Sequence, residues 1–155
     1  MRYKISFFAT LPSWIVFLVL MIPAIVGSFI PFGISLFALV MLTWLLIVGL
    51  SLQEKLPYSL NISTRWFKFF LIYVFLYIVI TDLFVDKELT YLIPFHLFAV
   101  YGIFYALYFV SKSLVTVEEK QALRSDRYIG TLFLFWFFPI GIWFVQPRVR
   151  KILKA

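Results

Sequence analysis

Two ionisable side chains lie where they could do chemistry at the edges of apolar runs. His96 follows Pro94 near the start of one run, and Asp82 lies about one turn before the end of the preceding run. Because an imidazole titrates near neutral pH, a carboxylate beside it would form a pH-sensitive pair. His96 and Asp82 are therefore a candidate switch, and the plainer alternative is an interfacial histidine bonded to a carbonyl group or water.

Aromatic residues form two stripes at helical spacing, and each stripe falls on one face of a helix. The first consists of Trp66, Phe70, Tyr73 and Tyr77, and the second of Phe98, Tyr101, Tyr105 and Tyr108. Facing each other, the stripes could line a slot for a flat lipophilic molecule such as a quinone or a lipid tail. Helix packing, with phenol hydroxyls bonded across the helices, is the commoner arrangement.

The segment FFPIGIWFVQP carries a proline and a glycine inside an apolar run, residues 128–145. Pro139 removes a backbone donor, and Gly141 would let the chain reverse direction. The segment therefore favours a re-entrant or in-plane element, and a fifth membrane-spanning helix is the alternative because such helices tolerate both residues. With the switch pair and the stripes, it supplies the candidate functional residues: Asp82, His96, Tyr101, Tyr105, Pro139, Gly141, Trp143, Gln146 and Arg148.

Signatures of catalysis do not occur in the sequence. The chain has no cysteine and one histidine, which excludes thiolate metal sites, cysteine nucleophiles and histidine-rich metal centres. It has no metalloprotease, serine-hydrolase or phosphate-loop motif. We predict no catalytic, cofactor-binding or metal-ligating residue, and the absence of these motifs disfavours an enzyme without excluding one.

The composition predicts an integral membrane protein. Of 155 residues, 64% are hydrophobic and 14% are charged, too few charges for a water-facing surface. We predict one all-α membrane domain, 1–155, built as a four-transmembrane-helix bundle with a C-terminal re-entrant or fifth hydrophobic helix, 128–145. Pro12 is expected to interrupt the first run, and the predicted spans are 5–29, 34–52, 66–85 and 92–110.

The basic residues predict the orientation of these spans. The net charge is +7, but the basic residues are dispersed at helix ends, which points to membrane orientation and not to nucleic acid. With a cytoplasmic N-terminus, a re-entrant segment leaves Lys87 as the only basic residue outside. A fifth span would also export the basic residues that follow Pro147. The positive-inside rule thus favours re-entry.

Two short helices are expected on the polar side. Thr116 and Glu119 match a capping box, which would start a surface helix at 117–123. In the tail, 146–155, the residues Val149, Ile152 and Leu153 share one face and basic residues fill the other. This pattern predicts an amphipathic helix on an anionic membrane surface, with a merely solvated tail as the alternative.

The C-terminal third resembles a family of small integral membrane proteins common in Bacteroidota. The resemblance is most specific in the segment from Trp136 to Arg148, and the first two spans are similar only in general character. It implies a bacterial inner-membrane location and carries over no activity. The family often has asparagine where Arg150 stands in this chain.

Three functions stay open at this point. The leading hypothesis is a non-catalytic membrane subunit or scaffold that contacts membrane lipids and binds a membrane-protein partner or a second copy through its basic cytoplasmic face. The second is a small oligomeric channel or transporter for neutral or lipophilic molecules, gated by the turn at Pro139 and Gly141. The third is a lipid-modifying membrane enzyme.

Overall fold

The computed structural model describes residues 5–84, 92–121 and 126–154, and all regular structure within these ranges is helical. This confirms the predicted all-α class. Short 3-10 turns lie at Gly27–Phe29 and Tyr58–Leu60. The α-helices of the described ranges are α1 (Ile5–Ala9), α2 (Ser13–Val26), α3 (Gly33–Lys55), α4 (Arg65–Leu83), α5 (Ile93–Glu119), α6 (Asp126–Trp136) and α7 (Phe138–Lys154).

Among the described residues, three helices are long and apolar enough to cross a membrane, namely α3, α4 and α5. They correspond to the predicted spans 34–52, 66–85 and 92–110. The predicted first span, 5–29, is represented by a shorter apolar stretch, Ser13–Phe29. For the described part of the chain, the predicted number of four spans is thus not confirmed.

The first apolar run breaks at Pro12, as predicted. Proline has no N–H group and disfavours the helical conformation of the residue before it. Pro12 is extended (φ −64°, ψ 152°), and its carbonyl oxygen accepts from the N–H groups of Ile15 and Val16 at 3.1 and 3.2 Å. Pro12 therefore separates α1 from α2 and caps the start of α2. Pro23 lies inside α2.

The core of the molecule lies where α3, α4 and α5 pack on one another. The buried rings of Phe67 and Phe109 stack there at 4.2 Å, and Gly49 of α3 lies directly beside the Phe67 ring. On the other side α6 packs against α5, and α7 packs against α2, α3 and α6. The short α1 contacts α3 and α7, so both ends of the described chain meet.

Helix α5 is longer than the sequence predicted, and the predicted helix start at Thr116 is wrong. Thr116 is buried inside α5, and its carbonyl oxygen accepts from the N–H of Lys120 at 2.9 Å. The helix ends only at Lys120, whose φ of 53° is left-handed. Lys112 lies inside α5, and its ammonium group donates to the hydroxyl of Tyr108 at 3.1 Å.

The C-terminal prediction is corrected in two respects. The run 128–145 is divided between α6 and α7, which meet at Phe137, and the tail 146–155 is no separate helix because α7 continues through Pro147 to Lys154. The apolar side of the tail packs against the rest of the protein. Val149 is fully buried, and Ile152 and Leu153 pack against the core.

Candidate functional site

Helices α6 and α7 form an antiparallel hairpin, which is the candidate functional site. Close to its turn, Gly141 lies against the backbone of Leu134, and a Cβ at Gly141 would overlap the Leu134 carbonyl group. Farther from the turn, the Arg148 guanidinium donates to the hydroxyl of Thr131 at 3.2 Å. These two contacts fix the register of the hairpin along its length.

Gly141 lies beside the chain reversal and does not itself form the turn. The reversal occurs at Phe137, and none of the described glycines has a positive φ. Gly141 is needed because only a residue without a side chain permits this close approach of two helices. Pro139 is exposed in the first turn of α7, where its missing N–H group costs no helical hydrogen bond.

Aromatic contacts show how far the hairpin reaches along the bundle. Phe138 lies 5.8 Å from Phe37 of α3, and Trp136 stacks on Phe104 of α5 at 4.5 Å. Both partners lie inside their helices, away from the Lys55 end of α3. The residues on either side of the turn therefore contact the long helices, while Phe137 at the turn itself is exposed. The two open ends of the hairpin lie beside the end of α5 that carries Glu118.

Gln146 holds α7 to the beginning of the chain. Its side chain is fully buried, and its Nε2 donates to the carbonyl oxygens of Ala9 and Leu11, each at 2.8 Å. The last carbonyl groups of a helix have no partner within that helix. Gln146 thus satisfies the end of α1 and the linker that follows, and its own Oε1 accepts no hydrogen bond from the described residues.

Arg148 joins three helices. Its Nε and Nη2 donate to the two carboxylate oxygens of Glu118 at 2.8 and 2.5 Å, in addition to the bond with Thr131. The hydrogen bonds to Glu118 raise the pKa of Arg148 above its usual value. The neighbouring Glu119 takes no part in this contact and instead accepts from Gln121 at 3.3 Å. Paired bonds of this kind hold a fixed geometry.

A second polar site, missed by the sequence reasoning, lies at the end of α3. Gln53 is buried and its Nε2 donates to the Ser113 hydroxyl at 2.6 Å. Its Oε1 accepts from the N–H of Ile62 at 2.9 Å, and its carbonyl oxygen accepts from Asn61 at 3.4 Å. One glutamine therefore holds the loop between α3 and α4 to α5. The only signal in the sequence was a polar residue in the last turn of an apolar helix.

This loop, residues 56–64, forms what we call the α3–α4 corner. It borders a cavity of about 530 Å³ lined by Gln53, Asn61 and Lys68, among others. Tyr58 stands at its edge with 98% of its surface exposed. The corner thus combines a backbone that Gln53 holds in place with an exposed aromatic side chain, Tyr58.

The predicted pairing of His96 with Asp82 is wrong. His96 Nδ1 lies 3.2 Å from the hydroxyl of Tyr77, whereas Asp82 accepts from the N–H and hydroxyl of Ser35 at 3.0 and 2.6 Å. Tyr77 and Asp82 are five positions apart, about 140° around α4. One therefore faces α5 and the other faces the first turn of α3.

The two aromatic stripes pack directly on each other, as the packing alternative predicted. The ring of Phe70 lies 5.4 Å from Tyr101 and 5.1 Å from Tyr105. Tyr73 donates across the helices to a backbone carbonyl of α5 at 3.1 Å. The contacting rings occupy the space of the proposed slot. Trp143, by contrast, is half exposed and contacts Phe17 of α2 at 5.7 Å.

Within the described residues, no three of the side chains that commonly bind metals lie together. The chain matches no protein-family model, no curated protein and no solved structure. The interpretation of its function therefore depends on its own geometry. That geometry consists of a helical hairpin held by Gln146 and Arg148 and a rigid corner held by Gln53.

Proposed function

We propose that the chain is a non-catalytic membrane subunit or scaffold that binds a protein partner at the α3–α4 corner. The observation that carries this proposal is the pair of hydrogen bonds made by the Gln53 side chain, one to the Ser113 hydroxyl and one from the N–H of Ile62. A loop held in this way loses little conformational freedom when a partner binds, which favours affinity. Tyr58 supplies an exposed aromatic side chain of the type enriched at binding hot spots.

The proposed membrane arrangement has α2, α3, α4 and α5 as four crossings, with α6 and α7 entering and leaving from the same side. It is supported by the antiparallel contacts of the hairpin and by the basic residues near its open ends, Arg127 and Lys154. Positive charge accumulates on the cytoplasmic side. The α3–α4 corner and both chain ends would then face the cytoplasm, and the resemblance noted above favours a bacterial inner membrane.

A photo-crosslinking experiment tests the partner site. A photoreactive phenylalanine analogue replaces Tyr58 in the full chain, and in a matched control it replaces Ile72, which is 60% exposed on α4. We expect a discrete protein adduct at position 58 that is absent at position 72. The adduct should disappear when Gln53→Leu frees the corner. No adduct at position 58, or equal adducts at both positions, would count against the proposal.

The channel and the lipid-modifying enzyme have no specific observation in their favour. The gate of the channel hypothesis was a reversing turn at Pro139 and Gly141. Gly141 instead serves as a packing contact with Leu134, and Pro139 lies in a regular first helical turn. Both functions stay predictions, ranked below the scaffold.

A further inference from the structure

The end of α7 meets the start of α2 in a small basic cavity, which we call the headgroup pocket. It has a volume of about 320 Å³ and is lined by Ser13, Pro147, Arg150, Lys151 and Lys154. The described residues that line it include no carboxylate. Three cations and a hydroxyl group thus converge on a space large enough for a phosphate ester.

The cations of the headgroup pocket are free to bind a ligand. In the part of the chain that the structure describes, Glu118 forms an ion pair with Arg148, and no such pair involves Arg150, Lys151 or Lys154. Like charges gathered without a counterion repel one another, and an anion bound among them removes that repulsion. The pocket therefore favours a ligand with negative charge.

The surface next to the pocket is apolar and exposed. On α7, Trp143 is 49% and Phe144 is 59% exposed, and both precede Pro147. On α2, Trp14 and Leu18 are also exposed next to Ser13. Contact between Phe17 and Trp143 joins the two helices along this seam. The seam is therefore apolar toward the hairpin turn and basic toward the end of α7.

We propose that the seam of α2 and α7 binds an anionic phospholipid. The phosphate group lies among Arg150, Lys151 and Lys154, and the acyl chains lie along Trp143 and Phe144. A soluble phosphate ester would use the basic pocket but would leave the apolar seam uncovered, so the lipid fits the whole surface. The proposal rests on the proposed membrane arrangement, in which the open end of the hairpin lies at the headgroup level.

The test uses the purified full chain in a neutral detergent. Binding of phosphatidylglycerol and of phosphatidylcholine is measured by native mass spectrometry, for the natural sequence and for Arg150→Gln/Lys151→Gln/Lys154→Gln. The matched control is Lys55→Gln/Arg65→Gln/Lys68→Gln, which removes the same charge from the α3–α4 corner. Thermal unfolding of each variant in the same detergent verifies that it is folded.

We expect phosphatidylglycerol to bind more tightly than phosphatidylcholine, and the pocket variant to lose about tenfold or more in affinity. The control should retain its affinity. Equal losses in both variants would mean a general charge effect and overturn the site, as would full retention in the pocket variant. Displacement of the lipid by millimolar glycerol 3-phosphate would assign the pocket to a soluble phosphate ester and overturn the lipid proposal.

This measurement is independent of the partner proposal. No partner is present, and the detergent complex has no cytoplasmic or outer side. A missing adduct at Tyr58 would leave the lipid result unaffected. Conversely, a failure of lipid binding would leave the α3–α4 corner and its crosslinking test unaffected.

Discussion

The buried amide of Gln146 donates to the carbonyl oxygen of Ala9, a residue 137 positions earlier in the chain. This bond and its companion to Leu11 join the last helix to the first. The buried amide therefore has a structural role, because it satisfies the carbonyl group of Ala9 at the end of α1 and that of Leu11 in the linker that follows. The hairpin is thus attached to the start of the chain near its open end, in addition to the contacts between α6 and α7.

Replacing Gln146 by leucine should lower the free energy of unfolding by about 1–3 kcal/mol, since the buried carbonyl group of Ala9 and the partly buried one of Leu11 lose their donor. The measurement is unfolding of the purified protein by increasing mole fractions of SDS. Gln121→Leu is the control, because Gln121 is exposed and, among the described residues, donates to the exposed carboxylate of Glu119. Equal stability of the Gln146 variant and the natural chain would contradict the role of this amide.

Gly141→Ala should destabilise the protein, because the new methyl group overlaps the Leu134 carbonyl and the two helices must separate. We expect a loss of about 1–3 kcal/mol, typical of forced overpacking. Gly130→Ala is the matched control on α6, where a Cβ meets no atom within 4 Å. It should be neutral or stabilising by up to about 1 kcal/mol, since alanine favours a helix. If the two variants are equally stable, the close approach of α6 and α7 is wrong.

The pair of Arg148 and Glu118 should show an energetic coupling of about 0.5–1 kcal/mol in a double-mutant cycle of Arg148→Gln and Glu118→Gln. Both side chains are about a third exposed, so solvent screening limits the value. Because the pKa of Arg148 is raised, the stability it contributes is present below the ordinary arginine pKa and is lost only as the pH rises through the still higher folded value. The coupling contributed by the guanidinium should therefore be unchanged by moderately alkaline buffer. A coupling of zero would contradict the pair.

Asp82→Ala should cost about 1 kcal/mol or more, because Asp82 accepts two hydrogen bonds from the first turn of α3 and acts as its cap from another helix. Ser35→Ala removes only the hydroxyl bond and should cost less. His96→Ala serves as a further comparison, since His96 contacts Tyr77 and not Asp82. If the stability cost of Asp82→Ala changed when His96 was also replaced, the two residues would be coupled. That result would support the pH switch that the geometry contradicts.

Sequence reasoning was accurate where apolar length and local chemistry decide the structure. The spans 34–52 and 66–85 coincide with α3 and α4 because a long apolar run has few alternatives to a helix. Pro12 breaks the first run because the effect of proline is local. The aromatic stripes face each other because their spacing matches the helical repeat.

It was inaccurate where a residue's role depends on a distant partner. The capping-box pattern at Thr116 is local, but burial of Thr116 against neighbouring helices keeps α5 continuous. Glycine is common in turns, but at position 141 it is required because the backbone of Leu134 leaves no room for a Cβ. The bonds from Gln53 to Ser113 and from Gln146 to Ala9 join residues far apart in the chain, and a single sequence does not indicate these partners.

We propose that α6 and α7 enter and leave the bilayer from the cytoplasmic side, and labelling of introduced cysteines tests this most directly. The chain has no cysteine, so single-cysteine variants at Arg127, Phe137 and Lys154 can be labelled in oriented membrane vesicles with a membrane-impermeant maleimide. We expect positions 127 and 154 to react only from the cytoplasmic face and position 137 to react from neither face. Labelling of position 154 from the opposite face would mean that the segment crosses the membrane, and it would contradict the account.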